Sequence, residues 1–191
     1  MAGQSELASS LDAVLPRFDI RERHSIRVQA PADAVFRLAS EIDFEDIWLI
    51  RVIVRTREWL LAGPPAPRTL PKRFLEYMTA LGWGVLSAIP DREIVMGAVT
   101  QPWIAHPVFR ALPPGEFLAY AEPEAVKIAW GIRVDPTPAG CLLSTETRAQ
   151  ATDPQSRARF LSYWWRVRPG VLLIRYALLR AVRKKAERLA K

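Results

Sequence analysis

Cysteine is almost absent from this chain of 191 residues, where Cys141 stands alone. One thiol cannot close an internal disulfide, so a disulfide-stapled scaffold is excluded. Histidine is nearly as scarce, with only His24 and His106. No paired-cysteine or paired-histidine spacing exists, and a Zn²⁺ site would have to recruit carboxylates, so no metal is expected. A Gly-rich phosphate loop and a nucleophile elbow are also missing, and no cofactor is expected. Residues 1–10 lack the basic start and apolar stretch of a secretory signal. The longest uncharged candidate for a bilayer span, residues 94–109, is interrupted by Gln101, Pro102, His106 and Pro107. These absences point to a cytoplasmic protein.

What is present suits one globular domain over 1–191. Half the residues are apolar and a quarter charged. Ten of the 16 prolines gather at 64–71, 102–114 and 136–138, which read as loops because proline lacks a backbone donor. The net charge of +7 is unevenly spread. From Arg166 onward there are nine basic residues and one acid, whereas the first 165 residues carry 18 basic and 19 acidic ones. The basicity therefore belongs to the tail.

Periodicity supplies the elements. Residues 1–17 carry no clear pattern and read as a flexible N-terminus. From Asp19 to Gln29 the chain alternates, with Ile20, Ile26 and Val28 on one face and Arg21, Arg23, Ser25 and Arg27 on the other. Glu22 and His24 interrupt the apolar face. Pro31 then opens a helix through Val35, Leu38 and Ile42. A second helix is read from Asp43 to Leu61, where β-branched residues argue for strand but Arg51, Arg55 and Glu58 form a helical stripe. A hairpin follows, Trp83–Ile89 and Glu93–Thr100, turned by Pro90-Asp91-Arg92. Val126, Ile128, Trp130, Ile132 and Val134 alternate, and after a turn a partner strand runs from Cys141 to about Ala151. It carries Leu143, Thr145, Thr147 and Ala149 on one face. Asp153-Pro154 is a helix start, and the pattern to Ala190 is helical, with a kink or break expected at Pro169-Gly170. The broad apolar arc of that helix requires cover on two sides.

The segment Arg23-His24-Ser25-Ile26-Arg27-Val28-Gln29-Ala30-Pro31-Ala32-Asp33-Ala34-Val35-Phe36 resembles the first strand and helix of the START-like, helix-grip superfamily. Leu143-Ser144-Thr145-Glu146-Thr147-Arg148, then Phe160 and Tyr163-Trp164, resemble a bacterial branch of it. The resemblance spans nearly the whole chain and implies an α+β fold: a curved antiparallel sheet wrapped around a long C-terminal helix, with two helices after the first strand. Five strands are legible where the superfamily has six or seven. Either another lies in 44–60 or around 116–122, or the sheet is reduced. The resemblance further implies a cavity between helix and sheet. Its contents in this superfamily range from carriers and sensors to polyketide cyclases and dehydrases.

Three functions are therefore weighed. The first is binding or transfer of a small hydrophobic ligand of lipid, polyketide or isoprenoid type. Its lining candidates are His24, Trp83, Trp130, Thr145, Thr147 and Trp164. Each tryptophan also reads as core packing, and each threonine as an ordinary strand residue. The second is a cyclase- or dehydratase-type enzyme with Glu22 and His24 as acid and base. The two could equally satisfy one another or sit on a solvated strand start. The third is an interaction module whose apolar arc forms a homodimer or partner interface. Glu146 and Arg148 read as a surface ion pair, and Cys141 as a buried spectator. The basic residues Arg175, Arg180, Arg183, Lys184, Lys185, Arg188 and Lys191 include the helix end 180–191. They suit a solvated face that favours the helix macrodipole, or peripheral contact with an anionic membrane. Nucleic acid is the least expected partner.

Overall fold

The computed structural model describes residues 9–42 and 73–190. Five antiparallel strands form one sheet: β1 (Ile20–Val28), β2 (Gly84–Ile89), β3 (Glu93–Thr100), β4 (Val126–Thr137) and β5 (Gly140–Ala151), in the order β1-β5-β4-β3-β2. The helices are α1 (Ser10–Val14), α2 (Ala32–Ser40), α3 (Phe74–Ala80), α4 (Pro114–Ala119) and the 36-residue α5 (Pro154–Leu189). The result is an open, curved sheet with a long C-terminal helix across it, the α+β helix-grip arrangement that the sequence resemblance implied. No strand occupies 116–122, since Pro114–Ala119 is helical. The helix read from Asp43 to Leu61 lies outside the described residues.

Register divides the sheet into two faces. Ile20, Glu22, His24, Ile26 and Val28 of β1 stand opposite Ala149, Thr147, Thr145, Leu143 and Cys141 of β5. Those in turn oppose Ile128, Trp130, Ile132, Val134 and Pro136 of β4. This inner face packs against α2 and α5, joining Val28, Val35, Ala39, Met96, Trp130, Leu143, Leu178 and Val182 in one core. Each large apolar side chain buried there stabilises the fold by about 1.5–3 kcal/mol relative to exposure. Helix α5 runs through Pro169 without a break. Pro169 lies on the exposed side of the helix.

The outer face has its own cover. Leu11, Val14 and Leu15 pack with Val95, Val99, Phe117 and Ala129 in a separate core. Gly97 gives room to this layer, for a Cβ there would lie 2.3 Å from Leu86 Cδ1 and 3.2 Å from Phe117. The N-terminus is thus not loose from Ser9 onward. Ser9 caps α1, its side chain accepting from Leu11 N–H while Asp12 closes the capping box.

The expectation of a surface ion pair at Glu146 and Arg148 is corrected here. Helix α1 covers this part of the sheet, and the two side chains are 8% and 4% exposed. Arg148 Nε donates to Glu146 at 2.7 Å, and its Nη2 donates to Asp12 at 2.5 Å. Its Nη1 donates to the carbonyls of Leu11 and Leu15, both at 3.2 Å, so one guanidinium terminates α1 and ties it to β5. Arg21 Nε donates to the same Glu146 oxygen at 2.8 Å, and its Nη2 donates to the other oxygen at 3.1 Å. Glu93 accepts from the hydroxyls of Ser9 and Ser10 at 2.6 and 2.7 Å.

Burial would raise the pKa of Glu146, but hydrogen bonds from Arg21 and Arg148 and their charges outweigh it and hold the carboxyl below its ordinary value of 4.5. Asp12 is likewise lowered, with burial overcome by Arg148. A folded pKa below the unfolded one contributes stability that is complete above about pH 4–5 and is lost as pH falls through the folded value. Chemical denaturation should therefore show stability falling on acidification below about pH 4. Arg148→Ala should cost about 3–5 kcal/mol at neutral pH and flatten that acid slope. An Arg148→Ala protein as stable as the wild type would show that α1 is held by its apolar contacts alone.

Candidate functional site

The buried side of α5 is a stripe in which Phe160, Trp164, Leu178, Leu179, Val182 and Ala186 recur at helical spacing. Arg168 and Arg175 stand on the same stripe, four residues beyond Trp164 and four beyond Val171. Arg175 is 5% exposed, so its assignment to the solvated basic tail is corrected. Position, not residue type, decides its burial, because the helix turns residue 175 to the sheet together with 171 and 178.

Beneath it lies the polar interruption of the inner face. Arg175 Nη1 donates to the Glu22 carbonyl at 3.2 Å, and its Nη2 donates to the Thr147 hydroxyl. Arg168 Nε donates to the Glu22 carboxylate. His24 Nε2 stands 3.6 Å from the second Glu22 oxygen, too far for a hydrogen bond. Thr145 is the cross-strand neighbour of His24, as Thr147 is of Glu22. Three polar atoms in this patch, His24 Nε2, Thr145 Oγ1 and Arg175 Nε, are buried with no hydrogen-bond partner among the described residues. Loss of solvent pulls the Arg175 guanidinium down to about 10, a shift opposed only in part by Glu22 and Glu146. It is still charged at neutrality.

His24 also forms a wall of a groove of about 940 Å³ between β1 and the C-terminal half of α5. Ile26, Tyr176 and Leu179 give the groove apolar surface, while Arg180, Arg183, Lys184 and Arg188 give it positive charge. Part of that charge is engaged: Arg180 lies over the Tyr176 ring at 4.2 Å, and Arg183 donates to Glu187 at 3.0 Å. The stripe of Arg168 and Arg175 was legible in the spacing of α5, yet their charge alone argued for solvent.

Of the residues singled out from sequence, Glu22, His24, Thr145 and Thr147 come together. Of the three tryptophans, Trp130 stands directly opposite Thr147 on the same face of the sheet. Trp130 meets Phe74 edge-on at 4.8 Å, and Trp83 stacks on Phe109 at 5.4 Å. Trp164 packs with Phe160 and Val126 in a separate cluster at the other end of the sheet. Cys141 is buried, which raises its thiol pKa and leaves it unreactive at neutral pH. Among the described residues no group of three metal-ligating side chains occurs, and no helix is long and apolar enough to cross a membrane.

The two threonines, adjacent on one face of β5, separate the roles of this patch. Thr145→Val removes a buried hydroxyl that has no partner, and should leave the melting temperature unchanged or raise it. Thr147→Val removes a partner of Arg175 and should cost about 1–3 kcal/mol. Equal losses in thermal unfolding of the two variants would show that Thr145 is bonded within the fold.

No family model and no curated protein matches the chain. Among solved structures, a Chromobacterium violaceum protein is 13% identical, with a TM-score of 0.38 over 87% of this chain and 97% of that one. The di-domain aromatase/cyclase StfQ of the steffimycin biosynthetic pathway is 13% identical, with a TM-score of 0.37 over 90% of this chain and 51% of that one. The ZhuI aromatase/cyclase of Streptomyces sp. R1128 is 13% identical, with a TM-score of 0.29 over 90% and 96%.

Proposed function

We propose that the protein reversibly binds a small, mainly apolar molecule between the sheet and α5, along the groove that His24 closes. The observation that carries this reading is the double membership of His24. It is a wall of the groove, and it belongs to the patch of buried polar atoms without hydrogen-bond partners. Apolar sites orient their occupants with a few placed polar groups, and unpartnered donors beside an open groove can serve as such groups. Leaving them unpaired costs the fold about 1–3 kcal/mol each, which a ligand's polar end offsets on binding. A cyclase- or dehydratase-type reaction would need Glu22 and His24 free as an acid/base pair. Arg168 already engages the Glu22 carboxylate, so binding without turnover is the reading best supported.

The neutral dye N-phenyl-1-naphthylamine should bind with a stoichiometry near one. Native mass spectrometry of freshly purified protein should show a co-purifying adduct of small mass. His24→Phe should keep the melting temperature within a few degrees, a change of about 1 kcal/mol or less. It should weaken a polar-headed ligand about tenfold. Absence of both adduct and saturable dye binding would end the carrier reading.

A further inference from the structure

Among the described residues under α5 the charges do not balance. Two guanidiniums, Arg168 and Arg175, meet one carboxylate, Glu22, while Glu146 stands on the opposite face of β5 with Arg21 and Arg148 as its partners. Arg175 is the deeper of the two cations. It spends both terminal nitrogens on a carbonyl and a hydroxyl, neither of which carries charge. A buried cation without a matching anion is costly, and removing such a group from water is offset only by a partner of opposite sign. Three of the buried polar atoms without a hydrogen-bond partner among the described residues lie in this patch: Arg175 Nε, Thr145 Oγ1 and His24 Nε2. Each can present a hydrogen, the imidazole in the tautomer protonated at Nε2.

From this we infer that the ligand is a monoanion, an apolar chain or ring system ending in a carboxylate, whose two oxygens accept from Arg175 Nε, Thr145 and His24. The inference rests on the proposed binding function and narrows it to one ligand class. One negative charge supplies what the patch lacks, whereas a cationic end would add to the excess. Two acceptor oxygens with four lone-pair directions have capacity for three donors. The groove in front of the patch has the same sign, with Arg180, Arg183, Lys184 and Arg188 on its walls, so an anion is also drawn toward the opening.

The test compares dodecanoate, dodecanol and dodecyltrimethylammonium, each below its micellar concentration at pH 7.5, by calorimetry or by displacement of the neutral dye. Wild-type protein should bind dodecanoate at least tenfold more tightly than dodecanol, and dodecyltrimethylammonium most weakly. Arg175→Met should bring dodecanoate down to the dodecanol level while dodecanol is unaffected, and Arg175→Lys should restore part of the difference. Should Arg175→Met not fold, Thr145→Val serves in its place, with dodecanoate weakened several-fold and dodecanol unchanged. Equal affinity of wild-type protein for dodecanoate and dodecanol overturns the carboxylate inference and leaves ligand binding standing. Binding of none of the three overturns both. A preference for dodecanoate that disappears in an Arg180→Gln/Arg183→Gln variant but survives in Arg175→Met or Thr145→Val places the anion at the groove rim and overturns the inner site.

Discussion

The Arg175 guanidinium, buried on a helix stripe that is apolar apart from it and Arg168, demands polar groups of the sheet beneath it. Arg175 must find acceptors within reach of a fixed helix position, and it finds them on β1 and β5, in the Glu22 carbonyl and the Thr147 hydroxyl. Polar residues therefore interrupt a row that otherwise reads Ile20, Ile26 and Val28. The same bonds fix where α5 lies along the sheet. Phe160 and Trp164 pack at one end, Leu178, Leu179 and Val182 at the other, and the charged group sits between two dry clusters. Dry flanks raise the strength of every electrostatic contact in the middle.

Strand β5 serves two polar systems at once. Because side chains alternate, Thr145 and Thr147 turn to α5 while Glu146 and Arg148 turn to α1. The outer system is closed: Arg148 finds acceptors for all three of its nitrogens, and Glu146 is bonded from two sides. The inner system is open, with three buried polar atoms that have no partner among the described residues. One strand thus carries a group that fixes the fold on one face and, on the other, a group with unused hydrogen-bonding capacity. A one-residue slip of register would exchange them.

Period and spacing made the strands readable from the sequence. The alternation in β1, β4 and β5 identified both faces correctly, and the Pro90-Asp91-Arg92 turn located the β2–β3 hairpin to within a residue. What failed did so wherever residue type was allowed to overrule position. Arg175 was read as solvated because it is charged, although its place between Val171 and Leu178 turns it inward. Glu146 and Arg148 were read as a surface pair because nothing local announces the cover that α1 provides. Residues 9–15 form only one short helical turn, and its docking depends on Glu93 and Arg148, far away in the chain. No short-range pattern contains such information. The tryptophans were read both as cavity lining and as core, and Trp83, Trp130 and Trp164 are buried against other rings and apolar side chains.

The way α1 is fastened has a consequence for the order in which the molecule assembles. Its anchors are separated from it by 83 residues at Glu93 and by 136 at Arg148. The first described helix to leave the ribosome is thus one whose anchoring side chains are synthesised much later. Closing loops of that length is slow compared with the local β2–β3 and β4–β5 hairpins. Throughout that interval Leu11, Val14 and Leu15 remain uncovered, and so does the outer layer of β3 and β4. Nascent chains are exposed to aggregation through such surfaces, and chaperones recognise them. A five-residue helix can thus cover its part of the sheet only once the side chains that anchor it have been made.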